Sequence, residues 1–355
     1  MKIYTITFHF VNNFGAVLQS YALQKYLIKQ GHDVKIIDYR CPGIIERINK
    51  SNTSNIKKSI YKLMSISKER KFKKFIEDNM ILTDNKYMSY SELKNSNELD
   101  AQLYIVGSDQ VWNTNLTSGI DKSYFLEFAR KDSKKVSYAA SIGKDVLSND
   151  EVNVICENIK DFDYLSVREE SAAKILAPNI QKSIETVLDP TLLLEANDYY
   201  EVSKLPKENN YIFVYDLDGD LVCAEYAKYI KKLTGKKVIQ VSKIINRNKV
   251  DKIDNCVGPS EFLGYIINAD YIVSNSFHSA VFSIIFKKRF FAVPHRTANS
   301  RLENILEITN LTDRFIRSIE DIDKIIDLDI NYDEVHELLI EKKLKSIEYL
   351  SNILK

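Results

Sequence analysis

Long apolar runs are missing from these 355 residues. No stretch approaches the roughly 20 residues that span a bilayer, so a transmembrane protein is not expected. An excess of one charge is missing too: 50 basic residues stand against 49 acidic ones, a formal net charge of +1. That balance gives no electrostatic reason to expect nucleic acid as a partner. Cysteine is scarce and scattered. Cys41, Cys156, Cys223 and Cys256 form no CxxC pair, so neither a zinc site nor a disulfide framework is expected, and reduced thiols in a cytoplasm are. His9, His32, His278, His295 and His336 form no HExxH pattern, and no GxGxxG marks a dinucleotide loop. No metal and no cofactor is therefore expected.

What is present reads as a folded enzyme. Hydrophobic residues make up 45% and charged residues 28%, enough apolar surface for a globular core. The start, MKIYTITF, passes straight into a strand-like run from Ile3 to Phe10, and a cytoplasmic protein is expected. Asn12, Asn13 and Gly15 break that run, helical spacing then carries to Gln30, and Gly31 stops the helix. Val34 to Ile37 follows as a second strand, which makes a β-α-β unit and implies a parallel sheet. Further strand-like runs stand at Leu103–Val106, Val136–Ala140, Tyr164–Val167 and Ile184–Leu188. After a polar linker, a second series begins at Tyr211–Tyr215 and continues through Val238–Val241, Tyr271–Ser274 and Phe290–Val293.

The expected fold class is α/β, two Rossmann-like domains facing a cleft. The expected division is residues 1–198, with a basic helical insertion at about 45–80, then 199–330, then a C-terminal helix over 331–355 that packs back on the N-terminal domain. The insertion holds eight basic residues between Ile56 and Phe75 (Lys57, Lys58, Lys62, Lys68, Arg70, Lys71, Lys73 and Lys74) and one acid, Glu69. It reads as a basic amphipathic helix with an interruption near Ser65–Ser67, either a solvated face or a peripheral contact with anionic lipid.

In open parallel sheets, ligands bind at the carboxyl ends of strands, and the candidates are taken from there. His278 follows the strand Tyr271–Ser274 and opens a helix, where N–H groups favour anions. It is the expected general acid/base, because an imidazole can give and take a proton near neutral pH. Arg168 follows Tyr164–Val167 with Glu169 beside it and is the expected anion anchor. Asn13 and Gly15 form the first strand-to-helix turn and, with Asp109 and Gln110, are candidates for the acceptor side or the cleft floor. Asp109, Gln110 and the only tryptophan, Trp112, follow Leu103–Val106 and suit a sugar, polar groups for hydroxyls and a ring to stack on a pyranose. Asp189, before Pro190, reads as structural.

Six ordered segments carry a resemblance. They are NNFGAVLQSYALQ (Asn12–Gln24), VGSDQVWN (Val106–Asn113), SYAASIG (Ser137–Gly143), LSVREE (Leu165–Glu170), VLDPTLLL (Val187–Leu194) and VSNSFHSAVFSIIFKKRFFAV (Val273–Val293), the last followed by SRLENIL (Ser300–Leu306). Together they resemble the polysaccharide pyruvyl transferase family. The resemblance implies a fold like that of the GT-B glycosyltransferases and phosphoenolpyruvate as donor. It implies transfer of the pyruvyl group to a hydroxyl pair on a sugar, oligosaccharide or lipid-linked saccharide, for cell-surface polysaccharide synthesis. It also implies donor-side roles for Arg168, Ser276, Phe277 and His278. Many relatives carry an arginine where this chain has Ser276, and Arg296 or Arg301 is expected to supply that charge. Two other readings stay open: a nucleotide-sugar glycosyltransferase of the same build, and a non-catalytic carbohydrate-binding relative.

Overall fold

A computed structural model of the chain describes residues 1–51, 58–144, 146–219, 221–242, 250–296 and 299–355. Two compact units emerge. One comprises Met1–Ser59, Ile76–Leu194 and Lys342–Lys355; the other comprises Ile60–Phe75 and Glu195–Glu341.

The first unit is built on a parallel sheet of five strands: β1 (Lys2–Ile6), β2 (Asp33–Tyr39), β3 (Leu82–Tyr87), β4 (Leu103–Val106) and β5 (Lys134–Ser137). Their order is β3-β2-β1-β4-β5. Two short strands, β6 (Leu165–Val167) and β7 (Ile184–Thr186), pair with each other, and bridges from Val136 to Tyr164 and Ala140 to Val167 tie them to the end of β5. Ile3, Ile36, Leu103, Ile105 and Val136 are wholly buried, as expected for parallel strands covered on both faces. The helix Phe14–Lys29 crosses from β1 to β2 and ends before Gly31, whose φ of +86° is the left-handed stop that glycine permits.

The second unit repeats the plan with β8 (Tyr211–Tyr215), β9 (Lys237–Val241), β10 (Lys252–Asp254), β11 (Tyr271–Ser274) and β12 (Arg289–Ala292). All neighbours are parallel and the order is β10-β9-β8-β11-β12. Each sheet therefore has the doubly wound order, and each has a switch point beside its first strand: between β1 and β4 in one unit, between β8 and β11 in the other.

Several boundaries differ from the sequence reading. The first strand ends at Ile6 rather than Phe10, because Thr7 turns its hydroxyl to the carbonyl of Ser108, 2.5 Å away. The basic segment is one helix, Lys58–Asn79, that runs through Ser65–Ser67 without interruption. Lys57 lies outside the described residues, and for residues 58–64 only the course of the helix is described. Phe72 and Phe75 anchor the helix by burial, Lys71 pairs with Glu261 at 3.1 Å, and Arg70, Lys73 and Lys74 are exposed. The last helix, Tyr332–Ile353, delivers residues 342–355 to the first unit. There Tyr349 Oη donates to the Ser137 carbonyl at 2.8 Å and Ser346 Oγ accepts from Leu188 N–H at 2.9 Å. No described helix is long and apolar enough to cross a membrane.

Candidate active site

In the second unit the switch point gathers the loops after β8, β11 and β12. Ser274 ends β11 and donates to the Tyr215 carbonyl at 2.5 Å, which fixes where the next turn begins. Ser276 then caps the helix Phe277–Ile285, its Oγ accepting from Ser279 N–H at 3.4 Å. His278 is the second residue of that helix. It is 9% exposed and its ring meets the edge of Phe277, with centroids 5.0 Å apart. The imidazole thus sits at the positive end of a helix dipole, where an anionic group is favoured.

Asn275 organises what surrounds it. Its Nδ2 donates to Asp216 Oδ1 at 2.8 Å and to Asp218 Oδ2 at 3.3 Å, and its Oδ1 accepts from Leu217 N–H at 2.8 Å. Asp216 Oδ1 also accepts from the N–H groups of Asp218 and Gly219. The loop after β12 joins through Arg296 N–H, 3.0 Å from Asp218 Oδ2, and through His295 Nε2, 3.0 Å from Asp218 Oδ1. Arg301 lies in the first turn of the helix Ser300–Ile308 and is half-buried. Asp216, Asp218, Asn275 and His295 escaped the sequence reading. Their signal was there: acids directly after one strand, and an amide directly before Ser276.

Ser276 is 4% exposed and its hydroxyl is engaged as a cap. An arginine at this position could not accept from Ser279 N–H, so the serine has a structural task of its own. Ser276→Ala should cost about 1 kcal/mol of stability, the usual worth of a cap, and leave catalysis within a few-fold. Denaturant titration alongside initial rates checks it.

In the first unit a buried polar network joins the ends of β4, β5 and β6. Arg168 is 4% exposed. Its Nη1 lies 2.9 Å from Asp189 Oδ2 and 3.3 Å from Ser108 Oγ, and its Nε lies 3.2 Å from Glu169 Oε1. Ser141 Oγ donates to the same Glu169 oxygen at 2.7 Å, and Ser108 Oγ to Asp189 at 3.0 Å. Asp189 Oδ1 accepts from both the N–H and the hydroxyl of Thr191. Burial opposes the charge on Arg168, but Glu169, Asp189 and Asp109 outweigh it and push the guanidinium pKa up. Arg168 therefore arrives at the expected strand end with two carboxylates already on it, and a ligand anion would compete with them. Asp189, read from the sequence as a turn residue, is also half of this pair.

Asp109 and Gln110 are half-buried in the loop after β4, with Asp109 at φ +89°, a costly conformation that the surrounding contacts hold in place. Gln110 Oε1 accepts from Asn113 Nδ2 at 2.7 Å. Gly143, at φ +61°, takes the left-handed conformation that glycine favours, and a Cβ there would fall 2.0 Å from Gln110 Oε1 and make the Gln110 and Asn113 side chains shift. Trp112 requires a correction. It is 2% exposed, stacked on Phe125 and edge-on to Phe162, and its indole N–H donates to the Tyr124 carbonyl at 3.1 Å. No ring face is open to a pyranose, and its work is to anchor the loop. Asn13 caps the first helix by accepting from Ala16 N–H, and Gly15 is buried in its first turn.

The sequence reading also passed over His9, whose Nε2 lies 3.0 Å from Asp38 Oδ1 inside the first unit. Arg40 Nε lies 2.7 Å from the same oxygen. Burial raises the Asp38 pKa, but these two partners more than offset it and hold the carboxyl below its ordinary value.

Two doubly wound units define an α/β protein that carries acids, amides and imidazoles at the ends of its parallel strands. The chain belongs to the polysaccharide pyruvyl transferase family, whose model matches residues 13–297, and it is an enzyme of pyruvyl transfer. A search of curated proteins returns no match. Among solved structures, two with TM-scores above 0.5 share the fold. UDP-GlcNAc 2-epimerase from Methanocaldococcus jannaschii is 14% identical, with 93% of each chain covered and a TM-score of 0.51. A candidate UDP-N-acetylglucosamine 2-epimerase from Listeria monocytogenes is 10% identical, with 95% of this chain and 90% of that one covered and a TM-score of 0.55. The Streptomyces sp. SF2575 glycosyltransferase SsfS6 is 11% identical, with 96% and 95% covered and a TM-score of 0.45.

Proposed function

We infer that the enzyme transfers pyruvate from phosphoenolpyruvate to two hydroxyls of one sugar, forming a ketal during polysaccharide synthesis. The supporting observation is His278, held at a helix start in the switch point of the second unit. The donor carries a phosphate and a carboxylate, which suit that dipole end; Arg296, whose N–H joins the same network at Asp218, and Arg301 are the candidate cations. Arg168 serves the donor only if its carboxylate partners yield. Asn13, Asp109 and Gln110 are the acceptor-side candidates that are half-buried rather than buried. No cofactor enters this reaction. A lipid-linked acceptor would bring the protein to a membrane surface, where the exposed Arg70, Lys73 and Lys74 would meet anionic headgroups.

The test is incubation of the purified chain with phosphoenolpyruvate and acceptors containing galactose, mannose or N-acetylhexosamine. Phosphate release with a pyruvyl mass gain on one acceptor is the expected result. Phosphoenolpyruvate alone should stabilise the fold, by about 2.7 kcal/mol at 100 times its dissociation constant. A thermal shift with UDP or GDP and none with phosphoenolpyruvate would overturn this reading in favour of a nucleotide-sugar transferase.

A further inference from the structure

Ketal formation moves two protons. As the first sugar oxygen bonds to C2 of the donor, its proton leaves, the C2–C3 π pair takes a proton, and C3 becomes a methyl. The C2–O bond to phosphate then breaks with its electron pair on the phosphate. The second sugar oxygen bonds to C2, and the second proton leaves and ends on that phosphate. One hydroxyl is therefore deprotonated at about the time C3 is protonated, which is easier with two groups than with one.

A second imidazole is built into the network beside His278. His295 is held by its side chain and by both polar groups of its backbone. Its Nε2 meets Asp218 Oδ1, its N–H donates to Asn299 Oδ1 at 2.6 Å, and its carbonyl accepts from Asn299 Nδ2 at 2.9 Å. The carboxylate that grips it is itself fixed, by Arg296 N–H and by Asn275 Nδ2. Asn275 begins the turn that carries His278, so one amide ties the two histidine loops together. The Asp218 side chain is 9% exposed while that of His295 is 23% exposed, a sheltered carboxylate behind an imidazole that solvent reaches. A surface histidine with no task gains nothing from so many restraints, whereas a proton-transfer group needs them. A carboxylate on one ring nitrogen also fixes the tautomer and stabilises the imidazolium that forms when the other nitrogen takes a proton.

We propose that His295, positioned by Asp218, is the base that takes the proton of the acceptor hydroxyl, while His278 delivers the proton to C3. The proposal rests on the pyruvyl-transfer reading.

The experiment compares the wild-type chain with His295→Ala and Asp218→Asn under saturating phosphoenolpyruvate and acceptor, with the donor-induced thermal shift recorded for each. His295→Ala should lower kcat by about 100-fold or more and keep the donor-induced shift. Added imidazole should restore part of its turnover. Asp218→Asn should lower kcat by a smaller factor and keep the donor-induced shift. Transfer by His295→Ala within threefold of wild type would overturn the proposal alone. So would a fall in kcat that imidazole does not relieve and that tracks a lost melting temperature. No pyruvyl gain with the wild type would overturn the pyruvyl reading, and this proposal with it.

Discussion

Arg168→Ala is expected to destabilise the first unit by about 3–5 kcal/mol, the usual result of removing one partner from a buried ion pair. The reason is charge. The guanidinium lies between Glu169 and Asp189, whose side chains are 7% and 0% exposed. Without it, two carboxylates remain buried with no cation between them. A drop in the denaturant midpoint would show the effect, and Asp189→Asn in the same chain should recover part of it by removing one stranded charge. Arg168→Lys should fall between, since an ammonium cannot meet both partners with a planar fork. Activity per folded molecule separates this role from donor contact. If phosphoenolpyruvate binds the folded fraction of Arg168→Ala as tightly as wild type, Arg168 holds the strand ends together and does not touch the donor. Weaker binding in that fraction would return it to the donor site.

The central strands were legible because burial on both faces makes them continuous apolar runs. Leu103–Val106, Tyr211–Tyr215 and Tyr271–Ser274 stand where the sequence put them. The edge strands β3 and β10 were not legible. Their sequences, LTDNKY and KID, are mostly polar because one side of an edge faces water. The strand-end loops were legible as places, but the pairs inside them were not. His295 meets an aspartate that follows a different strand, and Arg168 meets one that lies beyond β7 and opens a tight turn. Neither pairing has a local pattern. Trp112 failed for a related reason: composition shows an aromatic ring near polar groups, and only packing shows that Phe125 and Phe162 already cover it.

His278→Ala is expected to lower kcat by about 10²- to 10⁴-fold, the range for loss of a positioned acid or base. The substitution suits this question well. His278 is the second residue of a helix, and alanine is the best helix former, so local propensity favours the variant. The cap at Ser276 is untouched, and the neighbouring Ala280 N–H still donates to the Ser276 carbonyl at 3.1 Å. A large fall in turnover with little change in stability therefore isolates chemistry from folding. Donor binding should survive better than turnover, because the helix dipole acts before any proton moves. Solvent deuterium should also enter the new methyl group more slowly in the variant, since that proton is the one His278 is assigned to deliver. Wild-type turnover with a lower melting temperature would mean that the ring only packs against Phe277, and protonation of C3 would then have to come from elsewhere in the network, with Asp216 and His295 the nearest groups by connectivity.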